Sequence, residues 1–216
     1  MDLERMLAML SAKCLYFGRL DTLKDPWESV WPGVIAEAIK KSMAAGNCDS
    51  LLEYGRRNIY VNCWHVSEHQ SAALWEQYSR SAGFAIRSTV GAIKRAIAPT
   101  TRYLIGEIKY VDYDGDFPLS NGITVFDPAV LKRKSFEHER EVRIILCPSV
   151  LIKETAVHPP RDGIEVPVDL KSLIEEILLS PIAPRWLQPH VEAMFTAFGL
   201  ASIRVKPSDL YDSHIY

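Results

Sequence analysis

The sequence predicts an α+β fold: a single domain over residues 1–216, with a mixed, mostly antiparallel sheet and flanking helices. Three observations carry this. Segments of helical and strand character alternate without the regular strand–helix rhythm of a doubly wound parallel sheet. A length of 216 residues with 48% hydrophobic content suffices for a sizeable core. No internal repeat, low-complexity stretch or clear linker divides the chain.

The elements follow in order. Leu3, Met6, Leu7 and Leu10 form one apolar stripe at helical spacing, so residues 2–12 read as a helix. CLYFGRL is a strand. DTLKDPWESVWPG is a loop, interrupted by Pro26 and Pro32. GVIAEAIKKSMAAGN is a helix stopped by Gly46-Asn47, and DSLLEYGRR a second helix. IYVNCWHV, crowded with β-branched and aromatic residues, is a strand. SEHQSAALWEQYSRSAG is a helix in which Ser67 and Gln70 have capping-box spacing. FAIRST is a strand and VGAIKRAIA a helix. TRYLIGEIKYV is a single strand-like run before the turn-rich DYDGDFPLSNG. Its Asp112, Asp114 and Asp116 lack the twelfth-position glutamate of a calcium loop. FDPAVLKRKSFEHE is a short helix and connector, and REVRIILC a strand. IEVPVDLKSLIEEILLSP reads strand, helix, strand. PRWLQPHVEAMFTAFG is a helix stopped by Gly199, and ASIRVKPSDL holds the last strand.

The bulk properties exclude some classes. Charged residues make up 24% and the net charge is −2, so no overall field draws the chain to nucleic acid or an anionic membrane. Its apolar runs are too short to cross a bilayer, and MDLERMLAMLSAKC does not read as a signal peptide. A cytoplasmic protein with no membrane partner is expected. Cys14, Cys48, Cys63 and Cys147 are scattered without a CxxC pair, which argues against a closed zinc site. Three of them sit in apolar contexts that suit buried, reduced thiols. His65 and His69 straddle a strand-to-helix break, and neither a metal pair nor a Cys63–His65 nucleophile is expected. P-loop, GxGxxG, HExxH and GxSxG signatures are missing.

Three stretches carry candidate chemistry. In FEHEREVRII, a strand over 139–146 puts Glu139, Glu141 and Arg143 on one face, with Val142, Ile144 and Leu146 on the other. Two ionised glutamates about 7 Å apart repel by roughly 2–3 kcal/mol at an effective dielectric near 20. Arg143 or Arg140 offsets that. The alternatives are a solvated ladder at a strand start and an enclosed acid–base pair. In LWEQYS, Trp75 and Tyr78 share a helix face, either as core or as a stacking platform, with Arg80 placed to meet a phosphate. In RLDTLKDPWESVW, Arg19, Asp25 and Glu28 accompany Trp27 and Trp31. Two tryptophans in a loop either plug a core or contact a ligand.

Taken together, LYFGRLD, DPWE, VNCWH, LWEQYSRSAGFAI, KYVDYD, FEHEREVRII, VPVDLKSLIEEILLSP and SIRVKPSDL resemble a widespread bacterial family known only as a domain of unknown function. The resemblance runs from about Leu15 to Leu210. Lys24, Leu74 and Val142 stand where that family often has Asn, Met and Trp. More distantly, Glu139-Arg140-Glu141-Val142 resembles the Glu-x-Glu strand motif of ADP-ribosyltransferases. That resemblance implies that Glu141 orients the nicotinamide ribose and steadies developing positive charge, while Glu139 engages the acceptor. Arg19 would hold the dinucleotide, Trp75 or Tyr78 would stack on nicotinamide, and Ser88-Thr89 partly matches the expected Ser-Thr-Ser strand. The implied function is an NAD-using effector in a toxin or phage-defence setting, acting on a protein or nucleic-acid acceptor. The rivals are a non-enzymatic interaction module, with the Trp27/Trp31 loop as its surface, and a metal-dependent nuclease using Glu137, Glu139, Glu141 and Asp114.

Overall fold

The computed structural model describes residues 1–42, 55–79, 83–115, 124–148 and 162–212. It is α+β, with a five-stranded sheet, a three-stranded sheet and a two-stranded ribbon. The expected stop at Gly46-Asn47, most of the DSLLEYGRR helix, Cys48, Arg80 and Asp116 lie outside the described residues. Among the described residues, no helix is long and apolar enough to cross a membrane. Contacts divide the chain into two compact units, interleaved in sequence.

The first unit comprises residues 1–15, 68–100 and 166–216. Helix α1 (Leu3–Ala12) is capped by Asp2, whose carboxylate accepts from the Arg5 amide, and it buries Met6, Met9 and Leu10. Helix α3 (Ala72–Tyr78) is capped by Ser71 rather than Ser67. The capping-box spacing was misleading because Gln70 is used elsewhere. Its amide nitrogen donates to Asp209 at 2.5 Å, and its oxygen accepts from Trp75 Nε1 and Ser208 Oγ. Strand β3 (Phe84–Arg87) lies antiparallel to β9 (Glu176–Leu179), and β10 (Arg204–Pro207) lies parallel to β9 on its other side. Between them in sequence fall α4 (Val90–Ala96), the short α5 (Leu170–Leu173) and α6 (Leu187–Ala197). Gly199, at φ +76, makes the left-handed stop expected after α6.

The second unit comprises residues 16–67 and 101–165. Its sheet has the order β4–β7–β2–β1–β8, made of β4 (Leu104–Glu107), β7 (Glu141–Leu146), β2 (Tyr60–His65), β1 (Cys14–Arg19) and β8 (Gly163–Pro167). The pairs β1–β2, β2–β7 and β4–β7 are antiparallel. Strand β5 (Lys109–Val111) pairs in parallel with β6 (Leu131–Arg133) as a separate ribbon. Helix α2 (Gly33–Ser42) follows the tryptophan loop and buries Ile35.

Two expectations are corrected here. TRYLIGEIKYV is not one strand: Ile108 turns inward, 5% exposed, and its amide donates to the Glu141 carbonyl, so β4 and β5 join different sheets. FDPAVLKRKSFEHE is a 3-10 turn (Asp127–Val130), β6, and a second 3-10 stretch (Lys134–Glu139). This segment lies against the sheet face that carries Val61 and Ile145. Ala129 packs there with Leu20, Ile59 and Cys147 in one apolar cluster. Gly106, opposite Arg143 on β4, has no side chain, and Val130 occupies the room one would need.

Candidate functional site

Glu141 opens β7 and Arg143 follows two residues later, so both project from one face. Glu139 does not share the strand. It ends the 3-10 stretch, and Arg140, at φ 40, turns the backbone between the two glutamates. The expected ladder of three same-face charges is therefore broken. The carboxylates meet instead around a residue that sequence reading passed over, Lys132 on β6. Its Nζ lies 3.2 Å from Glu28, 2.5 Å from Glu139 and 3.0 Å from Glu141. Arg143 completes the group. It donates from Nε to Glu141 Oε1 at 2.7 Å and from Nη2 to Oε2 at 3.1 Å, pairs with Glu28, and donates from Nη1 to the Ala129 carbonyl at 3.1 Å.

All five groups are buried, with Arg143 fully enclosed. Among the described residues, three carboxylates face two cations. Isolated buried ions are costly, so such a group holds only because each charge faces an opposite one at hydrogen-bond distance. Burial alone would raise the Glu141 carboxyl. The Arg143 guanidinium, by charge and hydrogen bond, and then Lys132 outweigh it and bring it down to about 2. Burial would likewise discharge Lys132, but the charges of Glu141 and Glu28 hold its ammonium above the usual range. Glu141 and Lys132 therefore stay charged at neutral pH.

Its supports are local. The Tyr110 hydroxyl accepts from the Glu141 amide at 2.8 Å. His65 is paired with Glu141 across the sheet, and its Nδ1 lies 2.6 Å from the Glu139 carbonyl oxygen. Cys63 is paired with Arg143 across the sheet and is exposed. Glu28 comes from the DPWES turn. There the buried Asp25 accepts from the Trp27 amide and takes a two-point ion pair from Arg133, at 2.7 and 3.2 Å. The Arg133 guanidinium lies 5.7 Å from the Trp27 ring and 5.4 Å from Phe136.

The other expected site residues fall as follows. Trp27 and Trp31 diverge: Trp31 is buried at 9% exposure, while Trp27 is exposed and meets Tyr113 edge-on at 5.6 Å. Arg19, at the end of β1, pairs with Asp21 at 2.5 Å and Asp162 at 3.4 Å. Trp75 and Tyr78 belong to the first unit. Trp75 is buried with its Nε1 on Gln70, and Tyr78 is exposed, so they form no common stacking surface. Ser88 and Thr89 also lie there, as a bond to the Leu173 carbonyl and as the cap of α4. Of the three described cysteines, only Cys147 is buried. The carboxylates converge on an ammonium and a guanidinium, and among the described residues no three potential ligands are placed to hold a metal ion.

What could have pointed to Lys132 is its setting in AVLKRK, a lysine directly after an apolar run. Three-residue β6 is too short for alternation to register. No family model, curated protein or solved structure matches the chain.

Proposed function

We propose that the second unit holds the binding centre of an NAD-using, ADP-ribosyltransferase-like effector. The observation that supports it most is the enclosed centre in which three carboxylates gather round Lys132 and Arg143. Fixed, ionised carboxylates stabilise a positive charge where it develops, and a preoriented array does so at little reorganisation cost. Nicotinamide in NAD is a cationic ring, and its departure leaves positive charge on the ribose. In this reading Glu141 faces that charge, while Arg143 and Lys132 fix its position and ionisation. Glu139 sits beside it through the shared lysine.

Nicotinamide release from NAD, with and without bacterial lysate, tests the proposal. Release is expected from the wild type and not from Glu141→Gln, both assayed well below their melting temperatures. The precaution matters because Glu141 is a buried partner of two cations, so its replacement weakens the fold as well.

A second reading has its own observation. Both Glu141 oxygens are already paired, and Trp27 stands exposed beside the centre. That suits a non-enzymatic interaction module in which the ions brace the Trp27 turn. No nicotinamide release and no NAD-induced rise in melting temperature would put this module first.

A further inference from the structure

One face of the three-stranded sheet in the first unit carries a row of charges. Register sets Arg204 on β10, Glu176 on β9 and Arg87 on β3 side by side, and Lys206 lies two residues along β10 on the same face. The opposite face is apolar and closed: Phe84, Ile177, Leu179 and Val205 are all buried. The Glu176 side chain is only 9% exposed, with basic groups around it. Lys206 Nζ lies 3.2 Å from its Oε2, Arg87 Nη1 lies 3.5 Å from the same oxygen, and Arg204 Nε lies 3.6 Å from Oε1. Among the described residues, three cations thus face one carboxylate. Glu175, the preceding residue, is engaged at the cap of α4, where its Oε1 accepts from Thr89 Oγ1 at 3.0 Å.

One cation is enough to hold Glu176 ionised in the fold, and Lys206 is the nearest. The two arginines are held more loosely. Their contacts are longer than a good charge-assisted hydrogen bond, and their side chains are 65% and 73% exposed. Pairs of that kind add little to stability. Each guanidinium has five N–H donors and meets Glu176 through one nitrogen, so most of its capacity is open to a ligand.

We infer that this face binds the phosphate backbone of a nucleic acid through Arg87, Arg204 and Lys206. The inference stands apart from the NAD reading. Small ligands are held in concave sites, whereas these exposed side chains stand on an open sheet face. Several exposed cations suit a polyanion, which sums weak contacts and releases counterions as each phosphate is neutralised. The planar fork of arginine matches two oxygens of one phosphate. An acidic peptide has to order its long side chains to present carboxylates, while a nucleic acid carries its charges on the backbone itself. The whole chain has a net charge of −2, so the attraction is local and is screened beyond about 10 Å at 0.1 M salt. Binding is therefore steeply salt-dependent and indifferent to base sequence.

The test is fluorescence anisotropy of a labelled, mixed-sequence single-stranded oligonucleotide, titrated with the full chain at several salt concentrations. Labelled polyglutamate of matched charge serves as the second probe. The wild type is expected to bind the oligonucleotide at low salt and to prefer it to polyglutamate. Arg87→Gln and Arg204→Gln leave Lys206 on Glu176, so both should keep the wild-type melting temperature. Each should lower the slope of log affinity against log salt by about 0.7, and the double variant should bind about tenfold more weakly. Glu176→Gln removes the carboxylate that competes with phosphate, and it should bind more tightly than wild type. A role confined to stability would move the melting temperature and leave the slope alone. No oligonucleotide binding at low salt overturns the inference, as does an unchanged salt slope in the double variant. Weaker binding by a folded Glu176→Gln also overturns it. Polyglutamate bound as tightly as the oligonucleotide overturns it in favour of an acidic protein partner.

Discussion

Lys132 joins three carboxylates through one ammonium, and Arg143 spans two of the same three. Their contributions cannot be split pairwise, because each carboxylate is tolerated in the interior only by what surrounds it. Removing one partner of such a group leaves an uncompensated buried charge. Lys132→Met should therefore cost about 3–5 kcal/mol at neutral pH, read from urea unfolding. The sign of its pH dependence is also fixed. Without the ammonium, Glu141 loses one of the two cations that hold its carboxyl down, and it takes up a proton more readily when folded. The gap to wild type should then narrow as pH falls from 7 toward 4. A gap that stays constant would mean that Lys132 acts through packing of its stem.

At the scale of elements, the site depends on a segment with little regular structure. The 3-10 turn over Asp127–Val130 offers its Ala129 carbonyl to Arg143, while β6 presents Lys132 and Arg133. Gly106 makes this approach feasible. A Cβ there would come within 2.6 Å of Val130 Cγ1, and a β-branched side chain has few rotamers with which to yield. Gly106→Ala should cost about 1–3 kcal/mol by overpacking. It should also loosen the Arg143 contact, seen as amide exchange faster than in wild type across Ala129–Lys132 and unchanged at α6 of the first unit. Stability equal to wild type would show that the turn can move freely. The break at Ile108 and the turn at Arg140 follow the same logic, since each redirects the chain so that a short piece can pack against the sheet face.

For the whole molecule, the buried centre sets a pH window. Glu141 is held at about 2 against an ordinary 4.5, so it binds a proton less readily in the folded chain than in the unfolded one. Its contribution is complete above about pH 4.5 and is lost as pH falls toward 2. The linked free energy is roughly 3 kcal/mol. Urea midpoints should drop steeply across that window, and the drop should be shallower in Glu141→Gln, which has no proton to take up. Equal slopes in the two proteins would place the acid sensitivity in other carboxylates. Both compact units show the mixed, mostly antiparallel character expected of the chain: the second has a mostly antiparallel sheet with the parallel ribbon β5–β6, and the first sets the parallel pair β9–β10 beside antiparallel β3–β9.

The sequence by itself determined what is local. Helical stripes placed α1, α4 and α6, β-branched runs placed β2 and β7, and Gly199 marked a stop, because periodicity and backbone preference act over a few neighbouring residues. It also singled out Glu139, Glu141 and Arg143, as charges along an otherwise apolar strand, and Glu28, in a turn-rich loop with two tryptophans. Tertiary structure alone decided that these four share one buried centre, that Lys132 is its hub, and that Trp27 and Trp31 part ways. Glu28 and Arg143 are separated by 115 positions. Their encounter depends on which loop folds over which sheet face, and burial then makes the pairing of their charges compulsory.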